Sequence, residues 1–193
     1  MIVPDAAVTK ALFIIDVQPL TFKGDLPAAV TEKIVRFIEK VPYDAYVLAE
    51  YHAPQSSMFY KQQGFTLSEE EAGRTGKQIA NALKTYEDKL FHVRKTTRSC
   101  FKGFDPEGLK AFLRQRRIEE IHFVGFDIND CVLASAYEAI DSGYYSFILE
   151  ELSHQQTGIQ ALADAALTIF RSQRMTNNSL HEKIRYKEVG LED

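Results

Sequence analysis

The stretch Gly125–Glu151, GFDINDCVLASAYEAIDSGYYSFILEE, decides how the chain reads. An apolar run, Ile121 to Val124, ends at Gly125, and a short polar turn follows. Cys131 then opens a helical pattern of Cys131, Val132, Ala134, Ser135, Ala136, Ala139 and Ile140 that stops at Gly143. A second apolar run, Tyr144 to Leu149, comes next. Strand, turn, helix, strand is the βαβ unit of a parallel sheet. This order sets Cys131 at the carboxyl end of a strand and in the first turn of a helix. Ligands of open α/β sheets bind at that edge. The unpaired N–H groups and positive dipole end of a helix start favour thiolate over thiol.

The same alternation extends outward in both directions. Ala11–Ile15, Tyr43–Ala49, Leu90–Arg94 and Glu119–Val124 read as buried strands. Helical patterns start at Asp25-Leu26-Pro27, cover Gly76–Lys84, start again at the N-cap and Pro of Asp105-Pro106-Glu107, and occupy Gln155–Phe170. Glu50–Gly73 reads as a long loop, with Ser68-Glu69-Glu70-Glu71 as a capping box for one short helical turn. Lys183–Val189 is a candidate edge strand. The pattern predicts a single α/β domain over 1–193: a three-layer α-β-α, Rossmann-like arrangement of about six mostly parallel strands with helices on both faces.

Composition narrows the function. A net charge of −4 gives no footprint for nucleic acid or an anionic membrane. No window approaches the roughly 18 apolar residues of a membrane span, and the N-terminus lacks a signal-peptide pattern, so the expected compartment is the cytoplasm. The two cysteines, Cys100 and Cys131, form no CxxC and no zinc-type ladder with histidine. GxGxxG and GxxxxGK[ST] are both absent, which removes support for dinucleotide or nucleoside-triphosphate binding.

Asp16, Lys95 and Cys131 each lie just past the end of an expected strand. Singly, each has a plain structural reading: a cap, a solvated charge, a small buried hydrophobe. In a parallel sheet, however, the carboxyl ends of the strands share one edge. An acid, an ammonium and a thiol meeting there form a chemical unit. The carboxylate can take the thiol proton, and the ammonium stabilises the thiolate and holds the carboxylate.

Three segments resemble those of the isochorismatase-like cysteine hydrolases, a family that includes nicotinamidases, N-carbamoylsarcosine amidohydrolase and isochorismatases. They are Ala11–Gln18 with its Asp16 and Gln18, Arg94–Phe101 with its Lys95, and Gly125–Ala136 with its Cys131. The resemblance implies Cys131 as nucleophile, Asp16 as general base and Lys95 as orienting cation. It implies a cis peptide at Phe126–Asp127 that aims the Asp127 N–H, with the Cys131 N–H, at a developing oxyanion. It implies hydrolysis of a small amide or carbamoyl compound through a thioester, in a homo-oligomer with no nucleic-acid or membrane partner. Gln18, Phe22, Tyr51 and His52 are the expected pocket residues.

Two departures from the family pattern stand out. Asp127-Ile128-Asn129 replaces a small residue, Thr and Asp, and so sets an acid beside the oxyanion site. Glu50-Tyr51-His52 stands where nicotinamidases carry a metal-binding Asp-x-His, with no second histidine nearby. The expectation is therefore an enzyme with no metal and no other cofactor. Two other readings stay open: vinyl-ether hydrolysis that uses Asp16 without needing Cys131, and a binding protein that keeps the fold without turnover.

Overall fold

The apolar runs fold as five strands, β1 (Lys10–Ile15), β2 (Ala45–Tyr51), β3 (Leu90–Lys95), β4 (Glu120–Phe126) and β5 (Tyr145–His154). In the computed structural model, which describes residues 8–18, 26–64 and 66–176, they form one sheet of order β3-β2-β1-β4-β5. Every pairing is parallel. The helices are α1 (Leu26–Lys40), α2 (Met58–Gln63), α3 (Glu69–Ala72), α4 (Lys77–Leu83), α5 (Pro106–Gln115), α6 (Cys131–Asp141) and α7 (Gln160–Ser172).

A parallel sheet needs both faces covered, which is why β1 reads as an unbroken apolar run. Leu12 and Ile14 pack with Val30, Ile34 and Phe37 of α1 and with Ile79 and Leu83 of α4. Ala11, Phe13 and Ile15 point the other way, toward Leu109 and Phe112 of α5, Val132 and Ala136 of α6, and Ala166 and Phe170 of α7. One polar chain runs through the α1 side: His122 bonds the Glu120 carboxylate at 2.6 Å and the Tyr43 hydroxyl at 2.7 Å, all three side chains buried.

The strand order reverses between β1 and β4. β1 and its neighbours β2 and β3 build one half; the chain then crosses back to lay β4 against the other side of β1. A crevice opens at the carboxyl ends of the strands at such a reversal.

Several sequence expectations change in detail. The loop Glu50–Gly73 carries a helix that was not expected, α2, capped by the Ser57 hydroxyl. The Ser68–Glu71 capping box is formed, with both reciprocal bonds. β5 runs to His154 instead of stopping at Leu149, because its register against β4 jumps between Phe123 and Gly125 and pairing resumes at Ser153. Five strands are found among the described residues where about six were expected; the candidate strand Lys183–Val189 lies outside those residues, as does Phe22.

Candidate active site

Asp16 follows β1 directly, Lys95 is the last residue of β3, and Cys131 is the first of α6. The parallel register brings these three distant positions to one rim. Lys95 Nζ lies 2.6 Å from Asp16 Oδ2, and the ammonium also sits 4.7 Å from the centre of the Tyr51 ring. The Cys131 thiol is hydrogen-bonded to the Asp16 carboxylate. Lys95 is fully buried, Asp16 nearly so, and Cys131 is 8% exposed.

The local backbone at this meeting point is unusual. Asp16 has φ of 52°, a conformation disfavoured for a residue with a Cβ. Its N–H bonds the Ala49 carbonyl and its carbonyl accepts the Gln18 N–H, which fixes the carboxylate's direction. Opposite β1, Gly125 has φ of 111°, and a Cβ there would lie 2.1 Å from the Ile15 carbonyl oxygen. Only glycine lets β4 approach β1 this closely immediately before Asp16. The Phe126–Asp127 peptide is cis.

Electrostatics revise one expectation. The helix start was expected to favour the Cys131 thiolate. Burial instead pushes the thiol well above its ordinary range; Lys95 pulls it down, while Asp16 and Asp130 raise it. Removing a charge from water costs more than one turn of helix dipole returns. Burial likewise pushes the Asp16 carboxyl upward, partly offset by Lys95 and by the Cys131 thiol. Burial opposes the Lys95 charge, but Asp16 together with the Cys131 and Cys100 sulfurs outweighs it and holds the ammonium above the ordinary lysine range. The resting site is thus an ammonium–carboxylate pair with a neutral thiol donating to the carboxylate.

A cavity of about 520 Å³ opens onto Cys131. Tyr51, Phe59, Leu67 and Phe126 form its apolar wall. Its polar lining includes Asp16, Glu71, Arg98, Asp127, Asp130 and Gln156. Arg98 ion-pairs with Asp130 and lies 5.1 Å from the centre of the Phe59 ring. The Asp127 carboxylate accepts the Gln156 backbone N–H at 2.7 Å and the Gln156 side-chain amide at 2.8 Å. Burial pushes the Asp127 carboxyl up to about 6.

Two expected pocket residues are placed elsewhere. Gln18 does not line this cavity. Its amide donates to the Tyr51 and Gly73 carbonyls and accepts the Tyr51 N–H at 2.7 Å, so it ties the end of β2 to the loop after α3. His52 lies in a neighbouring recess, edge-on to Phe104 and 3.5 Å from Glu69. Tyr51 does line the cavity. Sequence reasoning missed Gln156, Asp130 and Glu71 as lining residues. Gln156 follows β5, so the same strand-end logic reaches it; Glu71 had no signal beyond its capping role.

The place of the nicotinamidase metal motif was tested on its donors. Glu50 Oε2 accepts from Arg74 at 2.8 Å and Oε1 accepts the Thr75 N–H at 2.8 Å. Glu69, next to His52, ion-pairs with Arg94. Two guanidinium groups thus neutralise the carboxylates a divalent ion would need, and the donor set does not fit one. Among the described residues no group of three His, Cys, Asp or Glu side chains is arranged to hold a metal. Nor is any helix among them long and apolar enough to cross a membrane.

A buried thiol, carboxylate and ammonium thus meet at the switch point of a parallel α/β sheet. The Isochorismatase domain model matches residues 10–173, and the chain is a member of that family. Among solved structures, it is similar to the nicotinamidase of Bacillus subtilis at 24% identity, with 86% of this chain and 96% of that one covered and a TM-score of 0.68. It is similar to the yeast nicotinamidase bound to the inhibitor nicotinaldehyde at 13% identity, with 87% and 98% covered and a TM-score of 0.71. It is also similar to N-carbamoylsarcosine amidase from Thermoplasma acidophilum at 16% identity, with 92% and 99% covered and a TM-score of 0.70. A search of curated proteins found no match.

Proposed function

We propose that this protein is a cysteine hydrolase that cleaves a small amide or carbamoyl compound through a thioester on Cys131. One observation carries the reading: a single buried carboxylate, Asp16, is shared by the Lys95 ammonium at 2.6 Å and the Cys131 thiol at the mouth of a cavity. The amidase and nicotinamidase neighbours agree with it.

Asp16 is a stronger base than a solvated carboxylate because burial raises its proton affinity. As Cys131 Sγ attacks the carbonyl carbon, Asp16 takes the thiol proton, and Lys95 keeps the nascent negative charge paired. The new oxyanion is received by the N–H groups of Asp127 and Cys131, at a helix start whose first N–H groups have no intrahelical acceptor. Collapse breaks the C–N bond. Asp16 returns its proton to the leaving nitrogen, which departs as ammonia or an amine. Water, deprotonated by Asp16, then attacks the thioester; the acid leaves, and the proton returns to Cys131. The sum is amide plus water giving acid plus amine.

The test is a screen of small amides, carbamoyl compounds and isochorismate, followed by mass spectrometry of the acid-quenched enzyme. An adduct of acyl mass on the Cys131 peptide is expected, together with loss of turnover in Cys131→Ala. Undiminished turnover by Cys131→Ala would overturn the thioester route and favour vinyl-ether hydrolysis. Absence of turnover across the screen would favour a binding protein.

A further inference from the structure

The charges around the cavity do not cancel. Four carboxylates line it: Asp16, Glu71, Asp127 and Asp130. Lys95 neutralises Asp16 and Arg98 neutralises Asp130. Asp127 is bonded by the neutral amides of Gln156, and Glu71 by the Ser68 N–H of its capping box. Among the described residues, neither of these two meets a cationic side chain. Arg98, the cation in the cavity lining, is already held against Asp130 and the Phe59 ring, and Lys95, fully buried outside that lining, is held against Asp16 and the Tyr51 ring.

From this arrangement we infer that the substrate carries a positive charge: an amide or carbamoyl compound with an ammonium group close to the scissile carbonyl, held against Asp127 and Glu71. The inference rests on the amide-hydrolase reading and names its substrate class. The physical reason is electrostatic. Apolar walls screen the charge of the half-buried Asp127 weakly, and the solvent-exposed Glu71 adds a weaker, water-screened contribution of the same sign, so the cavity attracts a cation and repels an anion. The apolar wall of Leu67, Phe59 and Phe126 accommodates the methyl groups of an alkylated ammonium without a hydrogen-bond requirement. Asp127 stands next to the N–H groups assigned to the oxyanion, which places the cation near the reacting carbonyl.

Three probes of one shape separate the charge states: trimethylammonioacetamide, 3,3-dimethylbutanamide and sulfoacetamide. Their binding to the full-length Cys131→Ala protein is measured by calorimetry, and their turnover by the wild-type protein is measured separately. The ammonium probe is expected to bind about tenfold more tightly than the neutral one, and the sulfonate more weakly still. In Asp127→Asn/Glu71→Gln the spread should collapse. Equal or tighter binding of the neutral or anionic probe overturns the inference. So does no measurable binding of the ammonium probe, or a spread that survives the double substitution. Turnover reports on the other reading. Ordered binding without hydrolysis sinks the hydrolase assignment and keeps the charge preference; hydrolysis without ordered binding does the reverse.

Discussion

Lys95 Nζ and Asp16 Oδ2 are 2.6 Å apart, and both side chains are closed off from solvent. The pair therefore has a structural and a chemical role, and substitutions separate them. Lys95→Met leaves a carboxylate buried without its cation and should cost about 3–5 kcal/mol of stability. Asp16→Asn/Lys95→Met should recover much of that loss in urea denaturation, since no lone charge remains. Activity should not recover: Asp16→Asn alone is expected to lower kcat by about 10²–10⁴ through loss of the general base. A double variant as unstable as Lys95→Met would show that the pair is not the source of the cost.

The resting thiol sets the alkylation behaviour of the two cysteines. Both are raised by burial, Cys100 to about 12 and Cys131 well above its ordinary range. At neutral pH, Cys131 should react with iodoacetamide more slowly than a free thiol, yet faster than Cys100, because it faces the cavity and Cys100 is 1% exposed. Raising the pH should accelerate Cys131. Peptide mapping after timed quenching measures both rates. Rapid labelling of Cys131 at low pH would mean that the site holds a preformed thiolate.

Asp127 gives a pH signature. Its folded-state value of about 6 lies above the ordinary 3.8, with Gln156, Asp130 and Asp16 as its charged and polar neighbours. A raised carboxyl favours folding while protonated, so its contribution is fully present below about pH 3.8 and is lost as pH rises through about 6. Asp127→Asn removes this penalty while keeping an acceptor for the Gln156 N–H. The variant should be more stable than wild type by about 3 kcal/mol at pH 7.5, with the difference closing below pH 4. Thermal unfolding across that range decides it; a constant difference would show that the carboxylate does not titrate there.

Close approach at Gly125 is the most exacting backbone requirement near the site. Gly125→Ala should destabilise the fold by more than about 2 kcal/mol, combining a disfavoured φ with a clash against the Ile15 carbonyl. Because Asp16 follows Ile15, turnover should fall further than stability alone explains. A stable Gly125→Ala protein with normal turnover would contradict the role given to this contact.

Gln18 offers a contrast with Asp16. Gln18→Ala breaks three bonds to the backbone of Tyr51 and Gly73 and should cost about 2–4 kcal/mol, with kcat changed far less than in Asp16→Asn. A loss confined to kcat, at unchanged stability, would return Gln18 to the reacting centre.

Period and punctuation in the sequence determined the sheet, the helix start at Cys131 and the shared edge on which Asp16, Lys95 and Cys131 meet. Those features follow from local propensity and from the common direction of parallel strands. The roles of Gln18 and His52, the arginines beside Glu50 and Glu69, and the neutral partners of Asp127 were decided only by tertiary structure. So was the proton state of Cys131: a helix start favours the thiolate, whereas burial beside groups brought in from distant segments favours the thiol, and no linear spacing reveals which is larger.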